Sequence, residues 1–252
     1  MSPVLHQVRF GDRLARVAAV AFDKDGTLLE SQPFWHGLWR LRRSLIYDRA
    51  GEETAAVWEQ EMGAVGGAFH RAGPFAVATL AEETTLLAGL FYRRMGWSWE
   101  QARSASLQIH RESNERLDLE RVTAARKGAV AAVRSLHEAG VPVGIVTSDE
   151  KPRAVRALEL IGLPATTWAF FLTPADVVRP KPAPDMVTAA CAAVGCTPES
   201  LAVVGDSLVD LQMARAAGAL AVAVPEYADD ADLLSAHADI LLSGPHEISL
   251  KV

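Results

Sequence analysis

Residues 17–29, VAAVAFDKDGTLL, constrain this chain more than any other stretch. An apolar run of six, Val17 to Phe22, ends abruptly in two carboxylates, a glycine and a threonine. Six apolar residues are too few for a helix and suit a strand buried on both faces. The carboxylates then sit at its C-terminal end, where open α/β sheets place their ligands. Alternation along the strand lets Asp23 and Asp25 share a side while Lys24 points away. Gly26 permits a sharp turn that exposes backbone N–H groups to an anion. The plainer reading is a strand followed by an Asp-Gly turn.

Two carboxylates beside anion-binding N–H groups would repel a phosphate unless a divalent cation lay between them. Hard oxygen ligands select Mg²⁺, which is usually held by one or two carboxylates and the substrate phosphate. One Asp can then attack phosphorus, and the other can protonate the departing alcohol and later activate water.

From Pro33 the pattern changes. Residues 33–49, 52–62, 75–95 and 98–117 are rich in Leu, Ala, Trp, Arg and Glu, with apolar positions recurring at three and four, as in Phe34, Leu38, Leu41 and Leu45. Glycines punctuate them, and strand-like runs are absent. Residues 33–120 therefore read as a helical insertion, and residues 1–32 with 121–252 as the core domain that carries it. Residues 1–16 are a short lead-in of mixed polarity. After the insertion, helices over 124–139, 150–161, 184–194, 208–217 and 229–236 alternate with strands over 141–146, 167–172, 201–204, 220–224 and 238–242. That alternation is the signature of a parallel sheet with crossover helices.

With 252 residues, half of them apolar, the chain can bury a sizeable core around such a sheet. Its net charge of −6 and the lack of a basic stripe argue against nucleic acid and anionic membranes as partners. No apolar run reaches 18 residues, and Met1 to Arg16 lacks a signal-peptide core. Cys191 and Cys196 lie on a helix and its end, where they do not face each other. They suggest neither a disulfide framework nor a zinc site, and a reducing, cytoplasmic compartment fits best.

Three more strand ends carry polar residues. Thr147-Ser148 places a hydroxyl and N–H groups at a helix N-terminus, which suits a phosphate, although Ser148 or Asp149 could simply cap that helix. In Arg179-Pro180-Lys181-Pro182-Ala183-Pro184 three prolines stiffen the backbone around one ammonium, either to neutralise phosphate or as a surface loop with a solvated lysine. Gly205-Asp206-Ser207 ends a further strand, with Asp210 one turn on. Asp206 can complete a metal site, and Asp210 can hold Lys181 or a metal-bound water; N-capping by Asp206 and a surface Asp210 are the alternatives.

Asp23-Lys24-Asp25-Gly26-Thr27-Leu28, Thr147, Lys181 and Gly205-Asp206-Ser207-x-x-Asp210 resemble, in order, the four motifs of the haloacid dehalogenase superfamily. The resemblance covers residues 15–31 and 124–242. It implies an α/β fold with a Rossmann-like parallel sheet, helices on both faces and an inserted α-helical type 1 cap, as in phosphoglycolate phosphatase and β-phosphoglucomutase relatives. It further implies Mg²⁺-dependent phosphoryl transfer through an aspartyl-phosphate. Asp23 would be the nucleophile and Asp25 the acid/base. Gly26, Thr147, Ser148 and Lys181 would bind phosphate. Asp206 would bind metal with Asp23 and the backbone carbonyl of Asp25, with Asp210 behind them.

Asp25 argues against a dehalogenase, since a departing halide needs no proton, and against the ion-pumping ATPases, which carry Thr there and need membrane helices. A hydrolase of a small phosphorylated metabolite is the reading this favours, and the resemblance to the capped relatives alone implies phosphoglycolate as the first substrate to consider. A β-phosphoglucomutase-like phosphomutase shares the same core motifs. A non-catalytic protein that binds a phosphorylated ligand or a partner would not require a nucleophile beside an acid. Substrate preference is expected from the insertion, with His36 and Arg71 foremost among Trp35, His36, Arg40, His70 and Arg71.

Overall fold

The computed structural model describes residues 3–65, 68–70 and 73–250. The lead-in is a hairpin rather than an irregular segment: β1 (His6–Phe10) and β2 (Arg13–Val17) pair antiparallel around Gly11, whose φ of 58° only glycine adopts readily. Strand β3 (Ala19–Phe22) follows, buried throughout. It alternates as a two-sided strand should, with Val20 and Phe22 in one apolar cluster and Ala19 and Ala21 in another.

The insertion contains α1 (Ser31–Glu61), the two-residue strands β4 (Ala64–Val65) and β5 (Ala68–Phe69), α2 (Pro74–Val77), α3 (Leu80–Met95), α4 (Trp99–Arg116) and α5 (Leu119–Val122). The two expected helices over 33–49 and 52–62 are both present within α1, separated where Gly51 leaves helical geometry (φ 78°, ψ 172°). Thr79 and Ser98 start α3 and α4 with capping boxes completed by Glu82 and Gln101. These helices close around Leu38, Leu45, Ile46, Trp58, Phe75, Leu87, Phe91 and Ile109. Residues 32–122 form one compact unit, and residues 1–31 with 123–252 form the other.

The second stretch of the core runs α6 (Ala129–Glu138), β6 (Val143–Val146), α7 (Lys151–Leu160), β7 (Phe170–Leu172), α8 (Asp185–Val194), β8 (Leu201–Gly205), α9 (Leu208–Ala217), β9 (Leu220–Ala223), α10 (Ala231–Ser235), β10 (Ile240–Leu241) and β11 (Ile248–Leu250). Six strands make one parallel sheet in the order β10-β9-β8-β3-β6-β7. Helices α6 and α7 pack on the Val20 and Phe22 face through Ala132, Val133, Leu136 and Leu158. Helices α8, α9 and α10 pack on the other through Met186, Val187, Leu211, Met213 and Leu234. The expected α/β core with helices on both faces is therefore present. Strand β11 joins β1 at the hairpin's edge, making a small second sheet whose Val8, Phe10, Val17 and Ile248 extend the first of these clusters.

The chain runs from β3 outward through β6 to β7, then crosses back to β8 on the other side of β3 and continues to β9 and β10. Strand order thus reverses at β3, the topology at whose carboxyl end open α/β sheets place their ligands. At the C-terminus of α8, Gly195 (φ 67°) turns the chain back, so that Cys196 N–H donates to the Cys191 carbonyl at 3.0 Å. The thiols meet there, contrary to the expectation from helical spacing, and burial together with the Cys196 contact pushes the Cys191 thiol up to about 12.

Candidate active site

Four strand ends supply the site. Asp23 follows β3, and its N–H donates to the Val204 carbonyl at 2.9 Å, so the β3–β8 pairing carries on into the motif. Asp206 follows β8. Asp210 lies in the first turn of α9. Asp23, Asp206 and Asp210 each offer a carboxylate oxygen within 4.8 Å of the others. Lys181 reaches this group from the loop before α8, donating to Asp23 Oδ1 at 2.6 Å and Asp210 Oδ1 at 2.5 Å. The other Asp210 oxygen accepts from Ser207, at 3.3 Å from its N–H and also from its hydroxyl. Asp210 is thereby fixed at both ends, and a Cβ on Gly205 would strike it.

Three carboxylates facing one ammonium leave two negative charges in excess at a buried place. Burial first, then Asp210 and Asp25, push the Asp23 carboxyl up to about 7 against the lowering effect of Lys181. Burial, then Asp23 and Asp210, hold Asp206 well above the ordinary carboxylate range. Burial opposes the Lys181 ammonium, but Asp210 and Asp23 more than offset it, and its pKa lies above the ordinary lysine value. An all-oxygen donor set of buried carboxyls that raise one another's pKa fits a hard divalent cation, whose charge would favour their ionised forms.

Gly26 turns the chain after Asp25 with φ 75°, and a Cβ there would run into the Asp206 carboxylate. Its own N–H is committed to the Leu29 carbonyl at 2.8 Å, so Gly26 enters the site through its missing side chain rather than through its amide. Thr27 donates its hydroxyl to Asp206 Oδ1 at 3.0 Å. Thr147, buried at the end of β6, accepts the Asp149 N–H on its hydroxyl at 3.1 Å, which leaves its proton to be donated. Ser148 is exposed and opens on a groove of about 430 Å³ shared with Glu150, Lys151, Thr173 and Asp176.

The Asp25 carboxylate stands apart from the three acids. It accepts from Lys24 Nζ at 2.5 Å, and Lys24 also pairs with Asp149 at 3.0 Å, which Arg153 holds in turn at 2.8 Å from Nε. Lys24 is only 1 % exposed, so the side chain expected to point away turns back on its neighbour. A lysine between two aspartates at the end of a buried strand was the available signal for this.

Arg126 and Glu226, which sequence reasoning passed over, flank the site. Arg126 donates to the carbonyls of Gly26, Val224 and Pro225. Glu226 takes the Ser31 N–H at 2.7 Å and the Ser31 hydroxyl. Of the residues expected to set substrate preference, His36 lies half-buried on α1, while Arg40 and His70 are exposed. Trp35 packs edge-on against Phe75, ring centroids 5.8 Å apart. Arg71 lies outside the described residues.

Residues 17–218 match the family described as haloacid dehalogenase-like hydrolase, and the chain belongs to that family. It is 29% identical over 214 residues to hexitol phosphatase A of Escherichia coli K12, covering 85% of this chain and 86% of that one. It is 28% identical over 217 residues to a phosphoglycolate phosphatase of Salmonella typhimurium, covering 82% and 81%. A crystal structure described as a predicted phosphoglycolate phosphatase from Haemophilus somnus superposes with a TM-score of 0.67 at 17% identity, over 91% of this chain and 95% of that one. The expected superfamily is borne out, and so is the expectation of a phosphatase-type hydrolase. Among the described residues, no helix is long and apolar enough to cross a membrane.

Proposed function

We propose that the chain hydrolyses the monoester of a small phosphorylated metabolite through an aspartyl-phosphate on Asp23. The observation that carries this reading is the Lys181 ammonium, bonded at once to Asp23 and Asp210 beside Asp206. It orients a buried carboxylate and offers positive charge where a phosphoryl group would arrive. An Asp23 oxygen attacks phosphorus as the ester P–O bond breaks. Asp25 gives the leaving alcohol its proton. Asp25 then takes a proton from water, whose oxygen attacks phosphorus and frees both inorganic phosphate and Asp23. The Thr147 hydroxyl, Ser148 and Lys181 hold the phosphoryl oxygens. Asp23, Asp206 and the backbone carbonyl of Asp25 would hold Mg²⁺, which would neutralise developing charge on those oxygens.

Phosphoglycolate is the first substrate to test, supported by the phosphoglycolate phosphatases among the relatives, and hexitol phosphates follow for the same reason. The helical insertion, residues 33–120, serves as the cap that sets this preference, with His36 and Arg71 as the contacts to examine first. Two free thiols, Cys191 and Cys196, support a cytoplasmic setting. The test is Asp23→Asn. An amide is a poor nucleophile, so turnover of every phosphomonoester should disappear in a protein that still unfolds cooperatively. Residual turnover above about one per cent, with deamidation excluded by mass spectrometry, would remove Asp23 from the nucleophile's role.

A further inference from the structure

Arg126 donates to none of the four motif aspartates, yet its guanidinium joins two of the loops beside them. It is half-buried and donates to the Gly26 carbonyl after β3, to Val224 at 2.7 Å and to Pro225 at 2.8 Å after β9. Its backbone N–H donates to the Leu28 carbonyl at 2.9 Å. A planar fork of donors can hold several carbonyls at fixed angles, which a single ammonium cannot. The turn it grips has no slack. Gly26 lies so close to the Asp206 carboxylate that a Cβ would overlap it, and Thr27 donates to Asp206 Oδ1 at 3.0 Å. Where the Gly26 turn sits therefore decides where the Asp206 carboxylate can sit. The Val224-Pro225 strip is itself held on its far side, because Glu226 grips Ser31.

We propose that Arg126 is a positioning residue for the cation site: by clamping the Gly26 turn to the Val224-Pro225 loop it presses that turn onto Asp206 and keeps Asp206 and Asp23 at metal-binding separation. This rests on the Mg²⁺ reading of the acidic group given above. Groups bonded directly to a metal's ligands typically change its affinity by about 10- to 100-fold when removed, and Arg126, which acts on Asp206 through the Gly26 turn, should have an effect at or below the lower end of that range.

The experiment is calorimetric titration of Mg²⁺ into the resting protein, with no substrate, for wild type, Arg126→Ala, Arg126→Lys and Arg134→Ala. Arg134, exposed on α6, also clamps a carbonyl, that of Gly162 at 2.8 Å, and serves as the control for general loosening. Arg126→Ala should raise the Mg²⁺ dissociation constant several-fold, up to about tenfold. Arg126→Lys should fall between it and wild type, because an ammonium reaches fewer of the three carbonyls. Arg134→Ala should match wild type. An unchanged constant in folded Arg126→Ala would overturn the proposal, as would an equal loss in Arg134→Ala. If Arg126→Ala does not fold, Arg126→Lys decides on the same terms. A wild-type protein that binds no Mg²⁺ would overturn the metal reading and this role with it. Wild-type binding with unaltered variants would overturn this role alone.

Discussion

Lys24 donates to Asp25 at 2.5 Å although the two are adjacent in sequence, and its ammonium is buried between that carboxylate and Asp149. Burial works against the charge on Lys24, and Asp25 and Asp149 more than restore it. The lysine ties the end of β3 to the end of β6, and so ties the proposed acid/base to the strand end that carries Thr147.

Lys24→Met should therefore destabilise the core. Removing one member of a fully buried ion pair typically costs about 3–5 kcal/mol, and the cost here should fall below that range because the Asp25 side chain is 27% exposed to water. Arg153 still holds Asp149, so the loss should fall mainly on Asp25. Urea denaturation checks this, and an unchanged midpoint would show that the pair contributes nothing to stability.

Gly26→Ala should cripple the site while leaving most of the fold intact. The left-handed φ of 75° costs an alanine about 1–2 kcal/mol, and its Cβ would displace the Asp206 carboxylate. Misplacement of a reacting group by about 1 Å can cost on the order of 100-fold, so kcat/KM should fall by that order. Wild-type kcat/KM for the variant would mean that the Asp206 carboxylate has room to move without consequence.

The insertion buries a polar trio that should give its stability a particular pH dependence. Arg42 pairs with Glu83, and His110 Nδ1 lies 3.6 Å from the same carboxylate. Neither ring nitrogen of His110 has a hydrogen-bond partner among the described residues. Burial, then Arg42, depresses His110 to about 3. Its folded value lies below the unfolded one, so its contribution is full above about pH 6.5 and is lost as pH falls toward 3. Burial raises Glu83 to about 7 despite Arg42. Its folded value lies above the unfolded one, so its contribution is full below about pH 4.5 and is lost as pH rises through 7. Between these limits the two slopes oppose each other. His110→Leu should leave the Glu83 slope exposed, with unfolding free energy falling relative to wild type by up to about 1.4 kcal/mol per pH unit from pH 4.5 to 6.5. Parallel curves for variant and wild type would refute this.

Replacing residues 33–120 with a short Gly/Ser linker should leave hydrolysis of p-nitrophenyl phosphate but flatten the preference among natural phosphomonoesters. The exchange is feasible because the chain leaves and re-enters the core at paired points: Glu30 N–H donates to the Ala124 carbonyl at 2.9 Å. The measurement is kcat/KM over sugar phosphates, nucleotides and phosphoglycolate at fixed Mg²⁺. A preference order that survives the replacement would place specificity in the core.

The sequence by itself determined the strand–helix alternation, the strand ends that bear Asp23, Thr147 and Asp206, and the family. These depend on local quantities: the short unbroken apolar run of β3, the glycines that stop α8 and α9, and polar residues placed directly after apolar runs. Only the tertiary structure decided that residues 6–17 form a hairpin closed by β11, because Val8 pairs with Leu250 across the length of the chain. It also decided that Lys24 turns back to Asp25, that Arg126 grips Gly26 and Pro225, and that Arg42, Glu83 and His110 meet inside the insertion. Arg42 occupies a core position of α1 beside Leu38 and Leu45, where its charge reads as a wet face until Glu83, 41 residues on, is folded against it. Each of these contacts joins residues whose partners lie far off in the chain or across a strand end. No period or propensity marks such pairs, and they exist only once burial has left a charge with nowhere else to go.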